Sequence, residues 1–324
     1  MRLLRRRESG ETLRLFYASD IHGSDVCWRK FINAARHYSC QALIMGGDLT
    51  GKALVPIVRR NGGYTAWVVG EERHANSTEG LGEIERAIRM NGFYPLHATE
   101  DQHQAMREHP DVREELFARA MTEELERWLA LADERLADAD VQLFVMPGND
   151  DPWSIDAVLK HSSVATPCDG RVVHVATREM ISCGYSNRTP WNSPRELDED
   201  ELYRRIRVLA EQLDSPETAI FNLHVPPHDS GLDTALELDE ELRPVLYGGR
   251  PHEVPVGSTA VRQLLEEFQP ALALHGHIHE SRGITRIGRT VAINPGSDYS
   301  CGRIDGCVVD LTASDVKSFQ LVSG

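Results

Sequence analysis

Three histidines alternate with other residues near the end of the chain, at His275, His277 and His279. They follow the apolar run 271–274, which is typical of a buried strand in a parallel sheet. Imidazole is the commonest metal ligand near neutral pH, and open α/β sheets bind ligands beyond the carboxyl ends of their strands. A lone histidine in such a place is usually a hydrogen-bonded loop residue. The stretch therefore indicates a metal site only if other strand ends supply matching ligands.

Four further apolar runs end in residues of the same chemistry. Runs 12–19, 41–45, 141–146 and 219–223 are followed, in that order, by Asp20 and His22, by Asp48, by Asn149 and by His224. With His277 and His279 they make seven candidate ligands, enough for two divalent cations that share a bridging carboxylate. The set holds carboxylate, amide and imidazole groups and no thiolate, so it suits Mn, Fe, Zn, Co or Ni better than Ca or Cu(I). Two such cations form the clamp that is used in phosphate-ester displacement.

The order of these runs predicts an α/β fold. A helix is predicted over 24–38, between the first two strands, so the chain begins as a βαβ unit. Other elements predicted from apolar spacing are helices over 152–160, 198–213 and 258–268 and one or two strands over 171–184. Residues 282–295 and 303–322 are each predicted to form two antiparallel strands, which suggests a second sheet.

Residues 52–140 separate the second and third of these strands, and we expect them to form a cap-like insertion. The predicted elements within it are an apolar hairpin over 53–69, helices over 79–90 and 111–138, and a polar loop or cap element over 92–110. The histidines of that polar segment, His97, His103 and His109, are expected at the surface. The sequence leaves open whether the insertion covers the site, selects the substrate or builds a dimer. Without a clear linker, residues 1–324 are expected to form one domain.

Composition narrows the class of protein. The chain has 324 residues, of which 41% are hydrophobic and 26% charged, and a net charge of −15. These proportions are globular, and the charge disfavours binding of long nucleic acids, although a bound metal could still attract a small phosphorylated substrate. No apolar run approaches the roughly 18 residues of a membrane span. The basic start at 1–7 is followed by polar residues, so we predict no signal peptide and a cytoplasmic location.

Taken together, the motifs resemble those of the calcineurin-like metallophosphoesterase superfamily, in particular its bacterial phosphodiesterase-like branch. The five matches are DxH at Asp20 and His22, GD at Asp48, GN at Asn149, the isolated His224, and GHxH at His277 and His279. They run from residue 20 to residue 279 and leave only 52–140 without a counterpart. The segment 294–297 also resembles one found in bacterial and archaeal phosphodiesterase-like branches.

The resemblance implies a four-layer αββα sandwich of two mixed β-sheets flanked by helices, here with a helical insertion. It implies two metal sites and one bridge between them: Asp20, His22 and His279 for the first metal, Asn149, His224 and His277 for the second, and Asp48 for both. His275 is then left to support the ligands or the fold, because the metal positions are filled. The implied activity is hydrolysis of phosphodiester or phosphomonoester bonds, with a hydroxide between the metals as nucleophile.

One position departs from the family pattern. The usual motif is GNH followed by an acidic residue, and its histidine protonates the leaving group; here Asp150 stands at that position and Asp151 follows. An aspartate beside two cations should be ionised and would be a poor acid near pH 7. Three outcomes stay open: a good leaving group needs no acid, Asp150 orients a water, or His228 takes the role.

The remaining expectations concern the substrate. Asn187, Arg188 and Ser297 are candidate substrate contacts. Two other functions are alternatives: a metal-dependent nuclease, which the acidic balance disfavours, and a scaffold or binding protein of low activity, which the complete ligand set disfavours. We expect a small phosphorylated substrate and no membrane partner, and homo-oligomerisation is left open.

Overall fold

A computed structural model describes residues 12–324 of the chain. The strands of this part, in chain order, are β1 Leu13–Ala18, β2 Ala42–Met45, β3 Leu54–Arg60, β4 Gly63–Val68, β5 Glu71–Ala75, β6 Tyr94–Ala98, β7 Gln142–Val145, β8 Ala165–Pro167, β9 Val172–Val175, β10 Arg178–Cys183, β11 Ser186–Asn187, β12 Glu196–Leu197, β13 Ile220–Leu223, β14 Thr234–Leu236, β15 Leu246–Tyr247, β16 Arg250–Pro251, β17 Glu253–Pro255, β18 Leu272–Leu274, β19 Gly283–Ile287, β20 Thr290–Asn294, β21 Asp305–Leu311 and β22 Val316–Ser323. Its α-helices are α1 Asp25–His37, α2 Thr78–Met90, α3 Glu100–Glu108, α4 Pro110–Leu136, α5 Ile155–Lys160, α6 Glu199–Ala210 and α7 Thr259–Phe268.

None of these helices has the length and apolar character that crossing a bilayer would require. The basic start at 1–7 lies outside the described residues, so the cytoplasmic location stays a prediction.

The first large sheet has the strand order β22-β21-β1-β2-β7-β8. Strands β1, β2, β7 and β8 run parallel, and β21 pairs antiparallel with both β1 and β22. Because parallel strands end at the same edge of a sheet, the residues that follow β1, β2 and β7 meet there. Those residues include Asp20, Asp48 and Asn149.

The second large sheet has the order β19-β20-β18-β13-β10-β9. Strands β10, β13, β18 and β20 are parallel, and β9 and β19 are the antiparallel edges. His224 follows β13, and the stretch from His275 to His279 follows β18, so the histidines meet at one edge of this sheet. The antiparallel pairs expected after residue 282 are present, although β21 and β22 belong to the first sheet.

Three apolar cores establish the layers. Between the sheets, Tyr17 and Ile44 of the first pack in one cluster with Ile220 and Leu272 of the second. On the outer face of the first sheet lie α1, α4 and α5, and on the outer face of the second lie α6 and α7, each with its own buried cluster. Burying both faces of each sheet explains why their parallel strands are continuous apolar runs rather than alternating ones. The expected four-layer αββα sandwich is confirmed.

The segment inserted between β2 and β7 differs from the expected helical cap. It contains the four-stranded sheet β5-β4-β3-β6 as well as α2, α3 and α4. Helix α4 belongs to the outer helical layer, where Trp128 stacks on Trp28 of α1 with ring centroids 5.3 Å apart. The insertion is therefore joined to the main core through α4.

Residues 92–110, for which we expected a polar loop or cap element, form β6 and α3, so the loop alternative is wrong. Strand β6 is short and contains Pro95, and α3 buries only Met106, so neither element has a clear apolar period. The local sequence feature that indicates a helix start here is the capping box at the beginning of α3. There Thr99 accepts a hydrogen bond from the Gln102 amide, and the Gln102 side chain accepts one from Thr99.

Candidate metal centre

The two sheet edges bring the seven predicted ligands together. Asp20, His22 and His279 form one cluster, in which one side-chain ligand atom of each lies within 4.8 Å of the others. The Nε2 atoms of His22 and His279 are 3.1 Å apart, and Nε2 of His279 is 3.4 Å from Oδ1 of Asp20. The atoms that converge here are a carboxylate oxygen and two imidazole nitrogens, a donor set that fits a divalent transition metal.

Asp48, His224 and His277 form a second cluster of the same kind. Asn149 joins it, since its Oδ1 is 2.9 Å from Nε2 of His224. The other ring nitrogen of His224, Nδ1, is 2.8 Å from the carbonyl oxygen of Gly46. A proton on Nδ1 donated to that carbonyl leaves Nε2 free for a metal, which is how protein scaffolds commonly orient ligating histidines.

Asp48 lies between the two clusters. Its Oδ2 is 3.6 Å from Nε2 of His22 and 3.5 Å from Nε2 of His224. Its side chain is 3% exposed, so this negative charge is not solvated by water and requires positive partners. The geometry fits a carboxylate shared by two cations.

The glycines of the motifs are required by close approach. A Cβ on Gly148 would lie 2.2 Å from Oδ1 of Asp48, and a Cβ on Gly276 would lie 2.2 Å from Oδ2 of Asp20. Any larger side chain at either position would displace a carboxylate of the centre. This explains why glycine precedes Asn149 and His277.

The ligand loops hold strained backbone. Asp20, His22, Asp48 and His277 have φ angles of 57°, 37°, 51° and 65°, in the left-handed region that side chains other than glycine rarely adopt. Neighbouring loops hold them there, because the amides of Asp20 and His22 donate to the carbonyls of Gly47 and Asp48 at 2.9 and 3.0 Å. Strain of this kind, fixed by surrounding hydrogen bonds, is concentrated at functional sites.

Charge at the centre is distributed between carboxylates and imidazoles. Burial opposes ionisation of Asp20 and Asp48, but the neighbouring imidazoles outweigh it and hold the pKa of both carboxyls well below the usual range. Burial lowers the pKa of His22 to about 3 and that of His277 to about 4. For His224, burial is outweighed by Asp48, which raises its pKa to about 10. With this raised pKa, His224 holds two protons at neutral pH, so metal binding there must displace one, because metals bind ionised carboxylates and neutral imidazoles.

His275 supports the fold beside the centre. It is buried, and its Nδ1 lies 2.8 Å from the carbonyl of Leu223 and 3.1 Å from that of Val225. Burial lowers its pKa to about 4, so the ring is neutral. It joins the end of β18 to the loop that carries His224, and it belongs to none of the candidate metal-ligand clusters among the described residues.

Asp151 braces the loops of two ligands. Its buried carboxylate accepts hydrogen bonds from the Leu49 and Gly148 amides at 3.0 and 2.8 Å, and from the amide and hydroxyl of Thr50 at 2.8 and 2.7 Å. These bonds tie the loop after Asp48 to the loop that carries Asn149. Asp151 therefore positions ligands from both loops.

Asp150 points toward a cation that the sequence did not single out. Its Oδ2 lies 3.1 Å from Nζ of Lys52, and its amide donates to Oδ1 of Asp48 at 3.0 Å. Burial and Asp48 raise the pKa of Asp150, and Asp150 in turn raises the pKa of Lys52 against the effect of burial. Lys52 belongs to none of the five sequence motifs, so no pattern around it identified it as a candidate site residue.

A cavity of about 730 Å³ opens from the metal ligands. Its inner end is lined by Asp48, Asn149, His277 and His279, with Lys52 and Asp150 beside them. The outer walls come from residues 188–191 and from residues between 235 and 256. Of the described residues 52–140, Lys52 lines it and none from 53 to 140 does, so the sheet and helices of the insertion lie outside the cavity wall.

Only one of the four remaining site residues predicted from the sequence lines this cavity. Arg188 lines it, whereas Asn187, His228 and Ser297 do not. Asn187 donates to the carbonyl of Val256, and His228 lies 3.9 Å from the carboxylate of Asp233. Ser297 donates to the backbone carbonyl of Asp20 at 2.7 Å, which supports the first cluster from behind.

Comparisons with known proteins agree with this architecture. No family model matches the chain. It is 29% identical over 166 residues to the uncharacterized protein MJ1162 of Methanocaldococcus jannaschii, and the match covers 50% of this chain and 68% of MJ1162. The structure of TT1561 from Thermus thermophilus aligns over 97% of this chain and 99% of its own, with 13% identity and a TM-score of 0.51. The phosphoesterase YfcE of E. coli aligns over 95% of this chain and 98% of its own, with 11% identity and a TM-score of 0.32. At 13% identity the likeness to TT1561 concerns the fold alone, and the YfcE alignment, with a TM-score below 0.5, supports no conclusion about this chain.

Proposed function

We propose that this chain, which has the fold of the calcineurin-like metallophosphoesterases, hydrolyses phosphoesters with a dinuclear metal centre. A small phosphodiester is the favoured substrate. The observation that carries the proposal is the position of Asp48, whose Oδ2 lies 3.6 Å from His22 and 3.5 Å from His224 at the inner end of a cavity. One carboxylate placed in this way can serve two cations at once.

The proposed metal sites follow the two clusters. Asp20, His22 and His279 would hold one ion, Asn149, His224 and His277 the other, and Asp48 would contact both. When bound, two divalent cations neutralise phosphoryl oxygens and lower the pKa of water, which is the chemistry that phosphoester hydrolysis needs. Of the metals that suit these ligands, we propose Mn, Fe, Zn, Co or Ni.

Lys52 and Asp150 take the place of the histidine acid, which the family pattern has and this chain lacks. The Lys52 ammonium is kept charged by Asp150 and lines the cavity beside Asp48. A fixed positive charge there stabilises negative charge that develops on the phosphoryl group or on the leaving oxygen. The pair therefore supports electrostatic stabilisation, and it suits substrates whose leaving group does not need to be protonated.

The charges in the cavity wall argue against the alternative that this chain is a nuclease. Both cationic side chains in its wall are already paired, Lys52 with Asp150 and Arg188 with Asp198, whose Oδ1 is 2.9 Å from the guanidinium. A protein that tracks a polynucleotide needs cations that are free to neutralise several phosphates. This favours a small ester over a nucleic acid strand.

The test is to strip the purified protein with a chelator, add back each metal, and measure hydrolysis of bis(4-nitrophenyl) phosphate and 4-nitrophenyl phosphate. We expect metal-dependent turnover, with the diester preferred, and about two ions bound per chain. His22→Ala should abolish turnover, whereas the matched variant His97→Ala should not, because His97 is exposed in the insertion. Absence of turnover with every metal, for both esters, would contradict the proposal.

A further inference from the structure

We propose that the outer part of the cavity binds an uncharged aromatic group of the phosphoester, with Trp191 as its main contact. This inference rests on the proposed function, because it takes the phosphoryl group to lie at the metal ligands. The walls of this part, which we call the aryl subsite, are formed by Pro190, Trp191, Leu236, Val254, Val256 and Ile278. A cavity of about 730 Å³ is in the range that binds small organic ligands.

Trp191 is exposed in a way that folding does not explain. Its side chain is 65% exposed, although tryptophan has the largest aromatic surface to remove from water. It packs into none of the buried clusters, and it lines the cavity. An aromatic ring that is left open at the mouth of a pocket is a typical anchor for an apolar ligand.

The segment that carries Trp191 is held rigid by one carboxylate. Glu196 accepts hydrogen bonds from the amide and hydroxyl of Thr189 at 2.9 and 2.5 Å, and from the amide and hydroxyl of Ser193 at 2.8 and 2.7 Å. Trp191 lies between these two fixed residues, and its own amide donates to the hydroxyl of Thr189 at 3.2 Å. A ring on such a preorganised turn loses little conformational entropy when a ligand binds.

The same segment is tied to the metal centre. The Asn149 side-chain amide donates to the Ser193 hydroxyl at 2.8 Å, while Oδ1 of Asn149 faces His224. The position of Trp191 is thereby fixed relative to a predicted ligand of the second metal. A substrate with its phosphoryl group at the metals and an aryl group on Trp191 would be held in a single orientation.

The opposite wall is aliphatic. Leu236 and Val254 lie on the antiparallel pair β14–β17, and Val256 follows β17. Leu236 is 40% exposed, so this wall also presents apolar surface to the cavity. Val254 is the register partner of Ala235, so Val254 and Leu236 lie on opposite faces of the pair. A flat ring can lie between the indole of Trp191 and the face that carries Val254.

Charge in the outer cavity selects against a second anionic group. Glu237, Glu280 and Arg188 line it. Glu237 is paired with His252 at 2.7 Å and Arg188 with Asp198, so the outer cavity offers a second anion no excess of positive charge. The group bound here is therefore uncharged.

The experiment uses three diesters of 4-nitrophenol that share the leaving group and differ in the second ester group, which is methyl, decyl or naphthyl. For the wild-type protein we expect kcat/KM to be about tenfold or more higher for the naphthyl than for the methyl ester. Trp191→Ala should raise KM for the naphthyl ester much more than it changes kcat, and should lower the naphthyl-to-methyl ratio of kcat/KM by a similar factor. Trp67→Ala is the matched control, since Trp67 is 64% exposed and lies outside the cavity.

A second measurement separates the two proposals. Equilibrium binding of naphthyl methylphosphonate, which lacks the nitrophenyl leaving group, is measured by isothermal titration calorimetry in the wild type and in Trp191→Ala. Binding that is lost in the variant, together with no hydrolysis of any ester, would refute the proposed function and leave the aryl subsite standing. A naphthyl-to-methyl ratio that does not change in Trp191→Ala, or a decyl ester preferred over the naphthyl ester, would overturn the aryl subsite.

Discussion

The ammonium of Lys52 lies 3.1 Å from the carboxylate of Asp150. Asp150 stands at the sequence position where the calcineurin-like pattern has a histidine. The two side chains are 46% and 29% exposed, so both can be reached from the cavity. An ion pair differs from an imidazole in the chemistry that it offers. It keeps a positive charge in place but holds its proton too tightly to transfer it near neutral pH, because Asp150 raises the pKa of Lys52.

Lys52→Met should therefore lower kcat in a way that depends on the leaving group. We expect a loss of about 10- to 100-fold for phenyl esters, whose leaving oxygen carries more unstabilised charge, and a smaller loss for 4-nitrophenyl esters. The measurement is a plot of log kcat against leaving-group pKa for the wild type and the variant. A parallel shift of the plot, without a change in slope, would show that Lys52 does not act on the leaving group.

Asp150→Ala tests the same pair from the other side. With an activated aryl diester we expect a loss in kcat of less than about tenfold, because Asp150 holds Lys52 and is not an acid in its own right. A loss of several orders of magnitude with that ester would identify Asp150 as an essential group. Metal content should be determined on the same sample, since the Asp150 amide donates to Asp48 and a shifted backbone could disturb the bridge.

Asp48→Asn removes the charge that lies between both ligand clusters. We expect activity to fall by several orders of magnitude, because an amide oxygen is a weaker bridge and leaves both metal sites less negative. Metal content should fall below about two ions per chain when measured by elemental analysis after dialysis. Near wild-type turnover with added Mn²⁺ would show that the bridging assignment is wrong.

Asp151→Asn tests the brace between the two ligand loops. An amide group has only one acceptor oxygen, so the substitution leaves about two of the buried donors that Asp151 satisfies without a partner. We expect the free energy of unfolding to fall by about 3 kcal/mol in metal-free protein, measured by denaturant titration. Asp133→Asn on the exposed face of α4 is the control with the same change of charge. Equal stability of the two variants would contradict the bracing role.

The strand ends could be predicted from the sequence because of how the sheets are covered. Both faces of β2, β7, β13 and β18 are buried, so these strands are mainly apolar, with Asn222 a buried exception in β13, and each is followed by polar residues. The ligands are among the first polar residues after these strands, since the loops at one sheet edge face each other; after β18 they are His277 and His279, while His275 supports the fold. The order of layers then followed from the family resemblance and is confirmed by the three apolar cores.

The outer cavity could not be predicted in the same way. Trp191, Leu236 and Val256 lie in separate loops or short strands, and only the tertiary fold places them around one space. Asn187 stands next to Arg188 in the sequence, yet its side-chain amide bonds the backbone of Val256 while Arg188 lines the cavity. Which side chains of a loop face a ligand depends on local backbone turns, and no periodic pattern encodes them.

An ion pair between two strands of the first sheet, away from the metal ligands, predicts that the stability of the fold depends on pH. Arg14 of β1 donates through Nε and Nη2 to the two oxygens of Asp310 on β21, at 2.7 and 3.0 Å. The hydrogen bond from Arg14 lowers the pKa of Asp310 below its ordinary value. A lowered pKa in the folded state means that this stabilisation is present above the pKa of the unfolded chain and is lost as the pH falls through the folded value.

Asp310→Asn should therefore destabilise the fold at neutral pH and much less in acid. We expect about 1 kcal/mol at about pH 7, since Arg14 is 43% exposed and solvent screens the pair, and a narrowing gap toward about pH 3.5. Denaturant titrations of the wild type and variant at each pH measure that gap. Asp315→Asn, which removes a 65% exposed partner of Arg289, is the control and should change stability little at any pH. A gap that stays constant with pH would mean that Asp310 stabilises the sheet through packing and not through its charge.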